Sequence, residues 1–119
     1  MKGKLIGALA GALVLLAATG AWAQTGKVSG GVVKIGVLDD MSGLYSDIGG
    51  KGEVVAAEMA VAEAGGKVLG APIQVVSADH QNKPDVGSNK AREWLDTEGV
   101  DVIVGTVNSG VAIAVSKVA

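Results

Sequence analysis

The chain has no cysteine, a single histidine and no excess of positive charge. Without cysteine there can be no disulfide, no thiolate metal site, no cysteine nucleophile and no lipid-modified cysteine at a processed N-terminus. His80 stands alone, and catalytic use would need a nucleophile or carboxylate arranged around it. Asp79 adjoins it, but neighbours on an extended chain point to opposite sides, so His80 is expected to be a solvated loop residue. Asp39 and Asp40 have no further ligands at metal-binding spacing, and loop aspartates ordinarily make turns. No metal, no cofactor and no catalytic residue are therefore expected. The net charge of −2 at pH 7 argues against nucleic acid as a partner.

Complete nucleotide motifs are missing too. Gly50-Lys51-Gly52 begins a G-x-G, but Val55 occupies the place of the third glycine and no tight turn follows the preceding strand directly. Read as a phosphate-binding P-loop, the same segment has Tyr45 in place of the first glycine and Gly52 in place of the Ser or Thr.

The uncharged run Leu5 to Ala18 is short for a bilayer span, which takes roughly 20 residues. It follows Lys2 and Lys4 and precedes Ala21-Trp22-Ala23, a small-x-small pattern. That order is the pattern of an export signal over residues 1–23, cleaved after Ala23, with Gln24 the mature N-terminus. The simplest destination is the periplasm of a Gram-negative bacterium. Removing Lys2 and Lys4 makes the remainder more acidic. Residues 24–31 (QTGKVSGG) are polar and Gly-rich and read as a flexible lead-in.

What is present from residue 32 onward alternates. Val32 to Leu38 (VVKIGVL) is a near-continuous apolar run, which suits a strand covered on both faces. Asp39 to Asp47 is a loop of turn formers. A helix is expected from about Gly49 to Ala64, with Val55, Met59 and Ala62 as its inward stripe and Val54 and Val61 widening it; Gly65-Gly66 stops it. Lys67 to Ala71 reads as a turn segment and Pro72 to Ala78 as the second strand. Asp79 to Pro84 is the next loop. A second helix opens at Pro84-Asp85 and runs to about Glu98, grouping Val86, Lys90, Ala91, Trp94 and Leu95, with Trp94 as a core anchor. Gly99 ends it, and Val100 to Val104 is the third strand.

Strands and helices that alternate at this spacing make right-handed βαβ units. The expected fold is α/β, a three-layer, doubly wound parallel sheet. Ligands in such sheets bind beyond the C-terminal strand ends, where the strand order reverses. Three loops qualify: Asp39–Ile48, Asp79–Pro84 and Gly105–Gly110. In the last, Asn108-Ser109-Gly110 opens an apolar helical segment, Val111 to Val118. Asn108 and Ser109 have two readings: they cap a helix, or they and the helix N-terminus hold a small anion such as a carboxylate. Tyr45 is either an ordinary packed loop residue or an aromatic contact for a small organic ligand.

The run from Val33 to Ala119 resembles the N-terminal part of the solute-binding proteins of branched-chain amino-acid-type ABC transporters, the type I periplasmic binding proteins. The combination carries it: IGVLDDMSGLYSDIGG, a helix closed by AEAGG, APIQVVSADHQNKPDVG, and VDVIVGTVNSGVAIAV. The resemblance implies part of the N-terminal lobe over residues 32–119, with the second lobe absent. It implies a monomer that captures an amino acid or small organic acid for a membrane permease. In the family the loop after the third strand binds the ligand carboxylate, which matches Ser109 with Asn108 and Gly110 beside it. An aromatic residue from the first loop matches Tyr45. Asp79 falls where the family has an acid that shapes the cleft. Amino-acid binders often carry a Ser-rich run where this chain has Asn108-Ser109-Gly110, so aromatic acids and amides remain open as solutes.

The helical pattern still runs at Ala119 without a cap, and the chain is expected to be cut within its fold. The third strand would then be an apolar, unpaired edge, and the chain alone would be marginal and bind weakly. Rival classes are a ligand-sensing module on the same fold, an exported enzyme of flavodoxin-like topology, and a non-functional truncated fragment.

Overall fold

The structure is a computed structural model that describes Val28 and residues 30–119. The export signal over residues 1–23 and most of the lead-in over residues 24–31 lie outside the described residues. Four strands form one sheet: β1 (Val33–Asp39), β2 (Lys67–Val68), β3 (Ala71–Asp79) and β4 (Val102–Gly105). Three helices connect or follow them: α1 (Gly50–Glu63), α2 (Pro84–Glu93) and α3 (Ser109–Ser116). The sheet order is β2-β3-β1-β4.

β1 is central because it is the most continuously apolar strand, and Val37 and Leu38 on its two faces are both fully buried. It pairs in parallel with β3, from Val33 opposite Ile73 to Asp39 opposite Asp79, and with β4, from Ile35 opposite Val102 to Leu38 opposite Gly105. The expected doubly wound arrangement is what forms, with one addition. Lys67 to Ala71, expected as a turn, is a hairpin: β2 pairs antiparallel with β3, making the sheet mixed. Leu69 and Gly70 both take positive φ (50° and 81°), the two-residue turn whose twist matches paired strands.

The core lies between the sheet and α2/α3. Leu38, Ala91, Trp94, Val100, Val111 and Val115 form it, with Val76, Ala78 and Ile103 packed against it. Trp94 is the anchor that the helical pattern placed there. Its ring lies over Gly36 of β1, where an added Cβ would meet Cζ3 at 2.5 Å. Gly87 likewise lets α2 close on α3 at Val111. After Glu93 the helix widens into a π-helical turn, Trp94–Glu98, closed by Gly99 at φ 65°. Val100 joins the core ahead of β4 rather than the ladder.

α1 covers the opposite face only in part. Its half-buried side is Val54, Ala57 and Val61, while all three residues of the expected stripe, Val55, Met59 and Ala62, are exposed. The correction has a plain cause: α1 is apolar around much of its circumference, so periodicity alone does not choose the buried side. β4 is a sheet edge, with Val102 and Val104 exposed toward the α1 side. Beside α1 lies an open apolar cavity of about 460 Å³ lined by Ile35, Ala57, Val61, Ile73 and Val104, among others.

Candidate functional site

The C-terminal ends of β1, β3 and β4 point the same way, and the strand order reverses between β1 and β4. Three loops meet there. Two of the residues assigned to loops belong to strands: Asp39 is the last residue of β1 and Asp79 the last of β3, in register with each other. Each carboxylate then reaches into a neighbouring loop.

Asp39 is fully buried. Its Oδ1 accepts from the Asp40 N–H (2.8 Å) and the Val107 N–H (3.4 Å), and its Oδ2 accepts from the Gly50 N–H (2.8 Å). One side chain thus ties the start of α1 and the loop before α3 to the end of β1. The Gly49-Gly50 pair makes this possible: a Cβ on Gly49 would overlap Asp39 Oδ2, and Gly50 holds φ 56°. Those glycines serve a carboxylate rather than a phosphate.

Asp40, also fully buried, accepts from the N–H groups of Gly43 (2.6 Å) and Tyr45 (2.9 Å) and so folds the first loop as a turn. Asp79 accepts from the Met41 N–H (3.0 Å), the Ser42 hydroxyl (2.6 Å) and the Gln81 N–H (2.7 Å). Burial acts to raise the Asp79 pKa. The hydrogen bonds from Ser42, Met41 and Gln81 and the nearby His80 together outweigh it and hold the group below the usual 3.8.

His80 is not solvated, as its isolation in the sequence led us to expect; it is fully buried. Its Nδ1 accepts from the Asn82 N–H (3.0 Å), which leaves the proton on Nε2, 3.7 Å from Asp39 Oδ1. The sequence argument missed it because adjacency to Asp79 says nothing about Asp39, which the parallel register brings close. The DD pair at a strand end followed by GG at a helix start was the available signal.

The third loop carries the other candidates. Gly105 and Thr106 both take positive φ (92° and 65°), a conformation that strains a β-branched residue. Asn108 is the N-cap of α3: its Oδ1 accepts from the Val111 N–H at 3.1 Å. Its Nδ2 donates to Asn82 Oδ1, tying the second and third loops together. Ser109 and Gly110 are exposed in the first turn of α3. Their N–H groups have no acceptor among the described residues, as the geometry of a helix start requires. Tyr45 is half-buried in the first loop, its backbone carbonyl accepting from the Ile48 and Gly49 N–H groups. Asp79 and Asn108 are thus joined to neighbouring loops, Ser109 and Gly110 face solvent, and none of the five, Tyr45 included, lines the apolar cavity beside α1.

Among the described residues no group of three or more His, Asp or Glu side chains is placed to hold a metal ion. What the arrangement can do is present exposed N–H groups, a hydroxyl and the positive end of a helix above a buried layer of satisfied carboxylates. Such a site suits a small anion or polar ligand rather than a reacting one.

Fold and site together define part of an α/β lobe that presents three loops at one end of a mainly parallel sheet. The chain belongs to the periplasmic binding protein family, whose model matches residues 32–119. Solved structures agree. A periplasmic binding protein from Burkholderia mallei is 56% identical with a TM-score of 0.71, covering 73% of this chain and 23% of its own. A branched-chain amino acid ABC transporter periplasmic ligand-binding protein from Burkholderia xenovorans is 52% identical (TM-score 0.69; 71% of this chain, 23% of its own). A solute-binding protein of an ABC transporter from R. palustris, in complex with benzoate, is 34% identical (TM-score 0.61; 72% of this chain, 24% of its own). No curated protein matches the chain. The chain spans about a quarter of the length of these solved relatives.

Proposed function

We propose that the chain forms the ligand-side part of the first lobe of a solute-binding protein. That protein would capture a branched-chain amino acid or related small organic acid in the periplasm and deliver it to an ABC-transporter permease. It would do so without catalysis, and the leader pattern over residues 1–23 supplies the export. The observation that carries this reading is the start of α3, where the Ser109 and Gly110 N–H groups and the Ser109 hydroxyl stand exposed at the strand-order reversal. A carboxylate placed there accepts hydrogen bonds from groups that nothing else satisfies, and meets the positive end of the helix. In this reading Tyr45 covers the solute's apolar part, while Asp79 and Asn108 hold the loops in place.

The solved relatives support a carboxylate. One is in complex with benzoate, one with 3,4-dihydroxybenzoic acid and one with isoleucine, and the three ligands share only that group. The test is to follow the amide resonances of the purified chain while adding benzoate, isoleucine or neutral benzamide. Saturable shifts at Ser109 and Gly110 with a carboxylate, absent with benzamide and lost in Ser109→Ala, are the expected result. Equal shifts with benzamide, or none with any of the three, would overturn the reading.

A further inference from the structure

The buried end of β1 holds more charge than fold stability asks for. Glu53, in the first turn of α1, turns its carboxyl toward Asp39, and its Oε2 is buried without a hydrogen-bond donor among the described residues. Asp39 already accepts three N–H groups, so it has no hydrogen to offer. Two facing carboxylates bond only when one keeps a proton. We propose that Asp39 is the positioning residue for the Gly105–Gly110 loop, and that protonation of the neighbouring Glu53 carboxyl makes the geometry of that loop depend on pH. The proposal rests on the solute-binding reading for its consequence, and on the carboxyl pair alone for its mechanism.

The geometry supports both halves. Among the described residues Asp39 alone has a side chain that bonds both the start of α1 and the loop before α3. Its bond to the Val107 N–H is the longest it makes, 3.4 Å against 2.8 Å for Asp40 and Gly50. That bond is the first to go when Asp39 shifts. Gly105 brings the same loop against Glu53, where an added Cβ would lie 2.8 Å from Oε2. Of the other titratable groups near Asp39, the two carboxylates are satisfied, whereas the buried His80 Nε2 has no hydrogen-bond partner among the described residues. Asp40 turns to Gly43 and Tyr45, Asp79 to Met41, Ser42 and Gln81, and His80 offers Nε2 at 3.7 Å. Among the described residues no Lys or Arg is paired with Asp39 or Glu53.

Burial, the Asp39 carboxylate and the hydrogen bond to it, in that order, raise Glu53 above its usual 4.5. A raised carboxyl pKa binds its proton more tightly in the folded chain. Its stabilisation is present below the unfolded pKa and is lost as pH rises through the folded one. Above that pH two anions face each other, and Asp39 is pushed off Val107.

The test is amide hydrogen exchange of the purified chain across that range, corrected for intrinsic exchange, with the Asn108-capped Val111 amide as internal reference. Protection at Val107 and Gly50 should fall severalfold relative to Val111 as Glu53 ionises. Glu53→Gln gives Asp39 a donor that does not titrate, and protection should then be high and flat with pH. Glu53→Ala removes the second anion, and protection should then be flat with pH as well. Protection that does not change with pH in the native chain, or that changes equally in Glu53→Gln, overturns the proposal. A parallel benzoate titration between about pH 5.5 and 8, where the ligand stays ionised, separates the two readings. Exchange that follows pH with no benzoate bound at any pH leaves the carboxyl pair standing and defeats the solute-binding reading. Benzoate bound with an affinity that ignores pH over the same interval in which exchange changes overturns the role of Asp39 in positioning the ligand loop.

Discussion

Gly36→Ala tests the packing that aims β1 at the site. Gly36 lies on the face of β1 that meets Trp94, three residues before Asp39. An added Cβ would stand 2.5 Å from Cζ3 and 2.7 Å from Cε3 of Trp94, and 3.1 Å from Val100 Cγ1. Carbon contacts settle at about 3.5–4.0 Å, so the ring must withdraw by roughly 1 Å. Trp94 is only 3% exposed and is wedged between α2 and the sheet, so it has little room to move. Overpacking of this kind costs about 1–3 kcal/mol. Ala in place of Gly within a strand returns about 0.5–1 kcal/mol of that. A net loss of about 1–2 kcal/mol is expected. Urea denaturation followed by circular dichroism should show a lower midpoint with an unchanged slope. Trp94→Leu removes the atoms in conflict. In the double variant Gly36→Ala should cost little beyond Trp94→Leu alone, a coupling of about 1 kcal/mol or more. Neutral behaviour of Gly36→Ala, or strict additivity of the pair, would refute the contact as the reason for glycine at position 36.

Three further outcomes are expected. Asn108→Ala removes the cap of α3 and the tie to Asn82; it should cost about 1 kcal/mol in the same denaturation assay and weaken benzoate binding. Asp79 has a lowered pKa, so its stabilisation is present above the unfolded value near 3.8 and is lost as pH falls through the folded value. Asp79→Asn should therefore be less stable than the native chain at neutral pH and converge with it in acid, as read by thermal melts across pH. Thr106→Asn places a residue that tolerates the left-handed conformation at φ 65°, and should raise stability by about 1 kcal/mol with the Thr106 N–H still donating to the Leu38 carbonyl.

Much of the architecture was legible because it depends on local pattern. The apolar run of β1, the Pro-Asp start of α2, the burial of Trp94 and the turn at Gly99 each follow from residues within a few positions of one another. The three ligand-side loops were legible for the same reason, since alternating strands and helices place them at one end of the sheet. The inward side of α1 was not legible, because Val54, Val55, Met59 and Val61 offer two apolar faces and only the sheet selects between them. The short antiparallel β2 was also missed: two exposed residues, Lys67 and Val68, carry no strand signal, and it is the Leu69-Gly70 turn that folds them back on β3.

The candidate site divides along the same line. Asn108 as a cap and Ser109 at a helix start could be read from their order in the chain. The carboxylates could not, because their roles depend on partners far away in sequence. Asp39 meets Gly50 and Val107, Asp79 meets Met41 and Ser42, and His80 faces Asp39. By itself the sequence determined an α/β chain with alternating elements, since hydrophobic period and turn chemistry are local. Only the tertiary structure decided which acids are buried, which loop each one anchors, and that the Glu53 carboxyl lies beside Asp39. The reason is that parallel strand register juxtaposes residues tens of positions apart, and only burial makes their charges matter.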